Sequence, residues 1–211
     1  MTTVAVIDYG MGNLKSVARA LERLYAAVSV TDKARDLVAA DRIVLPGVGA
    51  FGEGMRQLRA LGLLDALDEQ VRGRGKPFLG ICLGMELLAA DGHEHGHHAG
   101  LGWIDATAVP FAGGDALKAL HIGWNDVVPV PGAPLFAGLG PSPNFYFVHG
   151  YHLVCRDASV IAGTTEYGSR IVAAVQRGNI AGVQFHPEKS QETGLALLRH
   201  FLRWEPESRA C

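Results

Sequence analysis

The sequence predicts an α/β protein built on a mostly parallel sheet, with an antiparallel β extension. Three observations predict it. Short β-branched runs alternate with longer stretches of helical spacing over the first ninety residues, Gly-bearing turns join them, and beyond Gly92 the pattern changes to Gly- and Pro-punctuated β segments. Strands alternating with helices make βαβ units, whose parallel sheet is covered on both faces as a three-layer sandwich.

The elements follow in order. Val4-Ala5-Val6-Ile7-Asp8 suits a buried strand, Gly10 to Asn13 a turn, and Leu14, Val17, Ala18, Leu21 and Leu24 one face of a helix. Val28 to Thr31 is a second short strand, followed by a brief helix around Arg35 to Ala40. Arg42 to Leu45 is a third strand, ending in Pro46-Gly47-Val48-Gly49. The spacing of Met55, Leu58, Leu61, Leu64 and Leu67 predicts one helix over Glu53 to Arg72. Pro77 to Ile81 is a strand, and Leu83 to Ala90 begins another helix. Strands are then expected at Trp103 to Val109, Asn125 to Val130, Phe145 to Val148, His152 to Cys155, Ile161 to Thr165, Val172 to Gln176 and Ile180 to Gln184, the last two joined as a hairpin at Arg177-Gly178-Asn179. A helix from Gln191 to Trp204 closes the chain. No repeat or linker interrupts it, so residues 1–204 read as a single domain, with Glu205 to Cys211 a disordered tail.

Composition narrows the function classes. Hydrophobic residues at 48% and charged residues at 19% describe a chain that folds. Lys+Arg number 19 against 21 Asp+Glu, a formal charge of −2, which gives no basic field for nucleic acid. Three cysteines without a CxxC pair argue against a disulfide framework or structural zinc, and for reduced thiols in the cytoplasm. The N-terminus lacks a secretory pattern, and no apolar run approaches the ~18 residues of a membrane span. Glycine is the outlier, at 27 of 211 residues against the usual ~7%.

Three motifs compete to explain it. Gly80-Ile81-Cys82-Leu83-Gly84, where a buried strand meets a helix, is a nucleophile elbow with cysteine as the nucleophile. Small residues two positions either side let strand and helix approach, and the helix N-terminus is expected to lower the thiol pKa and offer Leu83 N–H to an oxyanion. His186, in Gln184-Phe185-His186-Pro187-Glu188, supplies a base with a carboxylate two residues on, completing the logic of a triad. His93-Glu94-His95-Gly96-His97 satisfies the zinc-peptidase pattern, but that chemistry needs a helix, and Gly92 and Gly96 make a solvated loop instead. Gly47-Val48-Gly49-Ala50-Phe51-Gly52 has dinucleotide-loop spacing but follows a later strand, without the acidic partner at the end of the next one.

The stretches Ile7-Asp8-Tyr9-Gly10-Met11-Gly12-Asn13-Leu14, Leu45-Pro46-Gly47-Val48-Gly49-Ala50-Phe51, Gly80-Ile81-Cys82-Leu83-Gly84-Met85, Gly123-Trp124-Asn125, Phe145-Tyr146-Phe147-Val148-His149 and Gly182 through Ser190 run in order along nearly the whole chain. Taken together they resemble the class I glutamine amidotransferases, and more narrowly the glutaminase subunits of imidazole glycerol phosphate synthase. The resemblance implies that Cys82 attacks the carboxamide of L-glutamine, His186 moves the proton and Glu188 holds His186. It implies an oxyanion strand at Val48 and Gly49 acting with Leu83 N–H, and substrate positions at Gly47, Glu86, His149 and Gly150. It further implies a heterodimer with a (β/α)₈ cyclase, which receives the ammonia in histidine biosynthesis and meets Asn13, Trp124 and Lys189, and no cofactor or metal.

Two departures stand out. The family elbow continues Gly-Met-Gln, where this chain has Glu86, and a hydroxyl residue commonly follows Phe-Val-His, where this chain has Gly150. An ionised Glu only accepts hydrogen bonds and repels an α-carboxylate, so Glu86 is expected either to weaken glutamine binding or to stay protonated. The alternatives are a glutaminase feeding another synthase, such as one of an amidino-sugar pathway, a zinc hydrolase using His93, Glu94 and His97, and a catalytically silent binding module of the same fold.

Overall fold

The computed structural model describes residues 1–111 and 120–206. Its first half delivers the expected alternation: β1 (Thr3–Ile7), α1 (Leu14–Glu22), β2 (Ala27–Thr31), α2 (Ala34–Ala39), β3 (Arg42–Gly47), α3 (Phe51–Ala60), α4 (Leu63–Leu67), β4 (Phe78–Cys82) and α5 (Leu83–Glu86). β5 (Ala89–Gly92), β6 (His98–Ala99), β7 (Ile104–Pro110), β8 (His121–Asp126), β9 (Val128–Pro129), β10 (Asn144–His149), β11 (Tyr151–Cys155), β12 (Ile161–Tyr167), β13 (Ser169–Arg177), β14 (Ile180–Val183) and α6 (Gln191–Arg203) follow.

The main sheet has the order β2-β1-β3-β4-β14-β13-β12-β9. The pairs from β2 to β14 are parallel, and β14-β13, β13-β12 and β12-β9 are antiparallel. The sheet thus carries the predicted antiparallel extension. Alternate residues of each parallel strand point to opposite faces, which splits the core in two. Ala5, Ile7, Ile43, Leu45 and Phe78 pack with α3, α4 and the β5-β7 region. Val4, Val6, Val44, Leu79 and Ile81 pack with α1 and α6. Of two small sheets, β11-β7-β5-β6 packs on the face that α3 and α4 cover, and β10-β8 meets the C-terminal end of β4, where the Val148 carbonyl lies by Cys82 Sγ.

Several boundaries differ from expectation, for local reasons. The predicted helix over Glu53 to Arg72 breaks at Gly62, whose φ of 66° starts α4 in a new phase. Leu61 consequently faces solvent, 41% exposed, and Leu63 takes the buried position instead. A π-helical turn over Asp68–Gly73 completes the segment. The helix expected over Leu83 to Ala90 stops at Glu86. Beyond it the carbonyls of Leu87, Leu88 and Ala89 accept from Leu101, Trp103, Ile104 and Gly102, so the chain is taken into sheet pairing. The segment Asn125 to Val130 is two elements, β8 and β9. Glu205, assigned to the disordered tail, accepts a 2.9 Å bond from Arg42 Nη2, and residues 207–211 lie outside the described part of the chain.

Candidate active site

The elbow is built by close backbone approach. β3 and β4 pair in register with Gly47 opposite Cys82, so the segment expected to hold the oxyanion and the cysteine expected to be the nucleophile emerge side by side. A Cβ on Gly84 would overlap the Leu45 carbonyl oxygen, and one on Gly80 the carbonyl of Gly84, so both flanking positions admit only glycine. Cys82 itself takes φ 55° and ψ −112°, a conformation that costs of order 1–3 kcal/mol and holds the side chain at the strand-to-helix corner.

The thiol is nearly fully buried and lies 3.8 Å from the Val148 carbonyl oxygen, to which it donates. Burial pushes its pKa far up, Glu86 and Glu188 add to the rise, and the Leu83 N–H and Gln184 amide oppose it. This corrects the expectation of a helix-lowered pKa. α5 has only four residues, too few for its dipole to outweigh desolvation, and the resting sulfur is a neutral thiol.

His186 and Glu188 are sealed from solvent, with Nδ1 and Oε1 2.9 Å apart. The carboxylate accepts from Nδ1–H, so the lone pair is on Nε2, and Nε2 has no partner. The backbone here is pinned from three sides: His186 N–H donates to Tyr146 O, Ser190 Oγ donates to the His186 carbonyl, and Pro187 opens a 3₁₀ turn. Tyr9 Oη, Gln184 Oε1 and Glu188 Oε2 are also buried without partners. An unpaired buried polar atom costs about 1–3 kcal/mol, so their concentration around one thiol marks a place built for a guest.

A pocket of about 380 Å³ opens over the thiol, lined among others by Val48, Gly49, Cys82, Leu83, Glu86, His149 and Gly150. Of the residues expected to bind substrate, Glu86, His149 and Gly150 face this pocket. Gly47 lies behind it, where a Cβ would meet Tyr9 Oη and Leu83. Glu86 is buried and accepts a 2.8 Å bond from Gln184 Nε2. Burial raises its pKa to about 7, so near neutral pH much of it is the neutral acid. A larger cleft of about 1000 Å³, beside Arg42, Arg74 and Lys76, has none of the motif residues in its walls.

Sequence reasoning missed the support behind His149. His149 Nδ1–H donates to the Tyr151 carbonyl at 2.7 Å, so Nε2 accepts, and it accepts from His121 Nδ1–H at 2.9 Å. Asn125 Nδ2 then donates to His121 Nε2 at 3.2 Å. The three bonds run in one direction and suit only neutral imidazoles. Burial lowers the pKa values of His121 and His149 to about 4 and about 3. The stability this arrangement contributes is present above about pH 6.5 and is lost as pH falls through 4 and 3. His121→Leu is expected to cost about 1–3 kcal/mol at pH 7 by leaving His149 Nε2 unpaired, as read by urea denaturation; an unchanged midpoint would count against the relay. The alternation His121-Gly123-Asn125 on one strand face was the available signal.

The residues expected at a partner face form a group. Trp124, 48% exposed, stands edge-on to Tyr146 with ring centroids 6.0 Å apart, and Lys189 Nζ is 5.9 Å above the same ring. Asn13 precedes α1, which packs beside the Pro187–Lys189 turn. The His93–His97 segment is a bend and not a helix, and Glu94 accepts from Phe51 N–H at 2.7 Å, which removes it from any zinc-peptidase arrangement.

The sequence matches the family described as Glutamine amidotransferase class-I over residues 5–204. The chain belongs to that family. It is 47% identical over 212 residues to the imidazole glycerol phosphate synthase subunit HisH of Rhodospirillum rubrum, covering 96% of this chain and 99% of that one. It is 48% identical over 202 residues to the subunit of the same name from Moorella thermoacetica, covering 95% and 94%. Among solved structures, PurLQS from Thermotoga maritima superposes with a TM-score of 0.72 at 20% identity, covering 96% of this chain and 98% of that one, a likeness of fold. For this glutamine amidotransferase the α/β sandwich predicted from sequence is the family's own architecture.

Proposed function

We propose that this chain is the glutaminase subunit of imidazole glycerol phosphate synthase, a single domain over residues 1–204. It hydrolyses L-glutamine to glutamate and ammonia, and the ammonia passes to a (β/α)₈ cyclase that forms imidazole glycerol phosphate and AICAR. The observation that carries the chemistry is the sealed His186–Glu188 pair with a free Nε2, which follows β14, the strand paired with the one that ends at the strained Cys82 elbow, and whose carboxylate is close enough to raise the Cys82 pKa.

In the reaction His186 Nε2 accepts the Cys82 thiol proton as sulfur attacks the carboxamide carbon, and Glu188 stabilises the imidazolium. The tetrahedral oxygen is met by Leu83 N–H and by an N–H of the Val48-Gly49 segment. Collapse transfers the proton to the amine, ammonia leaves, and water enters to hydrolyse the glutamyl thioester to glutamate and free thiol. Val48 is at the pocket rim, and Gly49 at φ 103° permits the peptide to reorient without a Cβ clash.

A buried neutral thiol describes a resting enzyme, and a partner that biases the oxyanion segment would switch it on. The face formed by Asn13, Trp124 and Lys189 suits that role, because Lys189 N–H bonds to the His186 carbonyl and so adjoins the base directly. No helix among the described residues is long and apolar enough to cross a membrane, and the unpaired cysteines support a cytoplasmic setting.

The test is glutamate release by the chain alone, with the cyclase, and with the cyclase plus its nucleotide substrate. Stimulation of roughly tenfold or more by the loaded cyclase is expected. Equal rates in all three mixtures would point to a different synthase, such as one making an amidino sugar.

A further inference from the structure

The His-rich segment that the glutaminase reaction leaves unused has a definite geometry. β5 and β6 form a hairpin with Asp91 opposite Ala99 and Gly92 opposite His98. Its turn is tight, with positive φ at His95 and Gly96. The turn brings His97 Nε2 to 2.9 Å and His93 Nε2 to 3.6 Å from the same oxygen, Asp91 Oδ2, and the two imidazole centroids stand 5.2 Å apart. One nitrogen from each histidine and one oxygen from Asp91 lie within 4.8 Å of one another. Tetrahedral Zn²⁺ holds N and O ligands about 2.0–2.2 Å away, hence roughly 3.3 Å from each other. His93 and His97 are exposed and have the side-chain freedom to close that gap. Asp91 is fixed on a strand, beside Thr107 across the β5-β7 ladder.

We propose that Asp91, His93 and His97 form a Zn²⁺ site, with a fourth position left to solvent, and that the bound ion stiffens the hairpin over the glutamine pocket. Two imidazoles and a carboxylate are a borderline donor set, which favours Zn²⁺ over Mg²⁺ or Ca²⁺. The ion's reach to the pocket is structural. Between the two histidines in sequence, Glu94 accepts from Phe51 N–H, the first residue of α3, and also lines the pocket wall with Cys82. His98, from the same hairpin, packs its ring over Gly52. Fixing the hairpin therefore fixes the start of α3, immediately after the Gly47-Val48-Gly49 segment. The pocket consequence rests on the glutaminase reading; the metal site does not.

The experiment titrates buffered Zn²⁺ alone into the full chain carrying Cys82→Ala, which removes the pocket thiol as a competing ligand. His93→Ala and His97→Ala are then added singly. One ion per chain with a micromolar or tighter Kd is expected, weakened roughly tenfold or more by either histidine substitution. Hydrogen exchange at the Phe51 amide is expected to slow with Zn²⁺ only when both histidines are present. Affinity indifferent to His93 and His97 would overturn the site, and unaltered Phe51 exchange on saturation would overturn the coupling. In the Cys82 form, His97→Ala without metal is expected to keep ordinary glutamate release, showing that the fold is intact.

Discussion

Replacing Cys82 with alanine is expected to abolish glutamate release, by at least about 10³-fold, because no other thiol lines the pocket among the described residues. The fold should survive, since alanine keeps the Cβ that the elbow already accommodates. It also keeps the strain. Ala and Cys both pay for φ 55°, whereas glycine does not. Cys82→Gly is therefore expected to be more stable than Cys82→Ala by about 1 kcal/mol, after the extra chain entropy of glycine in the unfolded state is offset. Urea denaturation of the pair measures it, and an Ala variant as stable as the Gly variant would mean that the elbow is unstrained. The same corner explains the resting thiol. A buried, protonated Cys82 should react slowly with iodoacetamide in the isolated chain, and faster when the loaded cyclase is present without glutamine, which would otherwise shield the thiol. Rapid alkylation of the isolated chain at pH 7 would contradict the neutral sulfur.

Glu86→Gln is expected to improve both stability and catalysis, with a pH signature that separates the two effects from simple repacking. The folded carboxyl titrates near 7, against an ordinary value of 4.5. Its contribution to stability is fully present below about pH 4.5 and declines as pH rises toward 7, because the unfolded chain ionises first. The total is about 3 kcal/mol, at roughly 1.4 kcal/mol per tenfold. Glutamine at this position keeps an oxygen to accept from Gln184 Nε2 and does not ionise. The variant should match the wild type near pH 4 and exceed it by up to about 3 kcal/mol at pH 8. Above pH 7 it should also bind glutamine more tightly, because an anion facing the substrate's α-carboxylate is gone. Denaturation at the two pH values and kcat/KM between pH 6 and 8 read these effects. No gain in kcat/KM at pH 8 would sink the substrate argument, and a stability gain equal at both pH values would sink the titration argument.

Cys82, His186 and Glu188 could be singled out in the sequence as a candidate triad because an elbow glycine and a proline-flanked histidine are dictated locally, by backbone approach and backbone restriction. The parallel sheet was equally legible from β-branched runs between Gly-bearing turns. The break at Gly62 was not, since the leucine stripe continues through it at helical spacing and only the left-handed residue resets its phase. Leu83 to Ala90 likewise has helical composition, and what stops it is partners more than ten residues away at Leu101 to Ile104.

Electrostatics escaped the sequence more completely. The elbow motif implies a helix dipole acting on Cys82, while the folded chain decides its protonation by desolvation and by Glu86 and Glu188. The His121–His149 relay joins residues 28 positions apart through the antiparallel β8-β10 register, and the alternation of His121 with Asn125 along one strand does not reveal its partner on the other. In the His-rich segment the pattern pointed to Glu94 as the partner of the histidines, but strand pairing turned Glu94 toward Phe51 and brought Asp91 to them. The sequence by itself determined which residue types stand at each turn, and through them the fold and the choice of candidate triad, because steric rules act between neighbours in the chain. Only the tertiary structure decided which of those groups are buried, neutral or paired, because desolvation and hydrogen bonding depend on atoms brought close from distant positions.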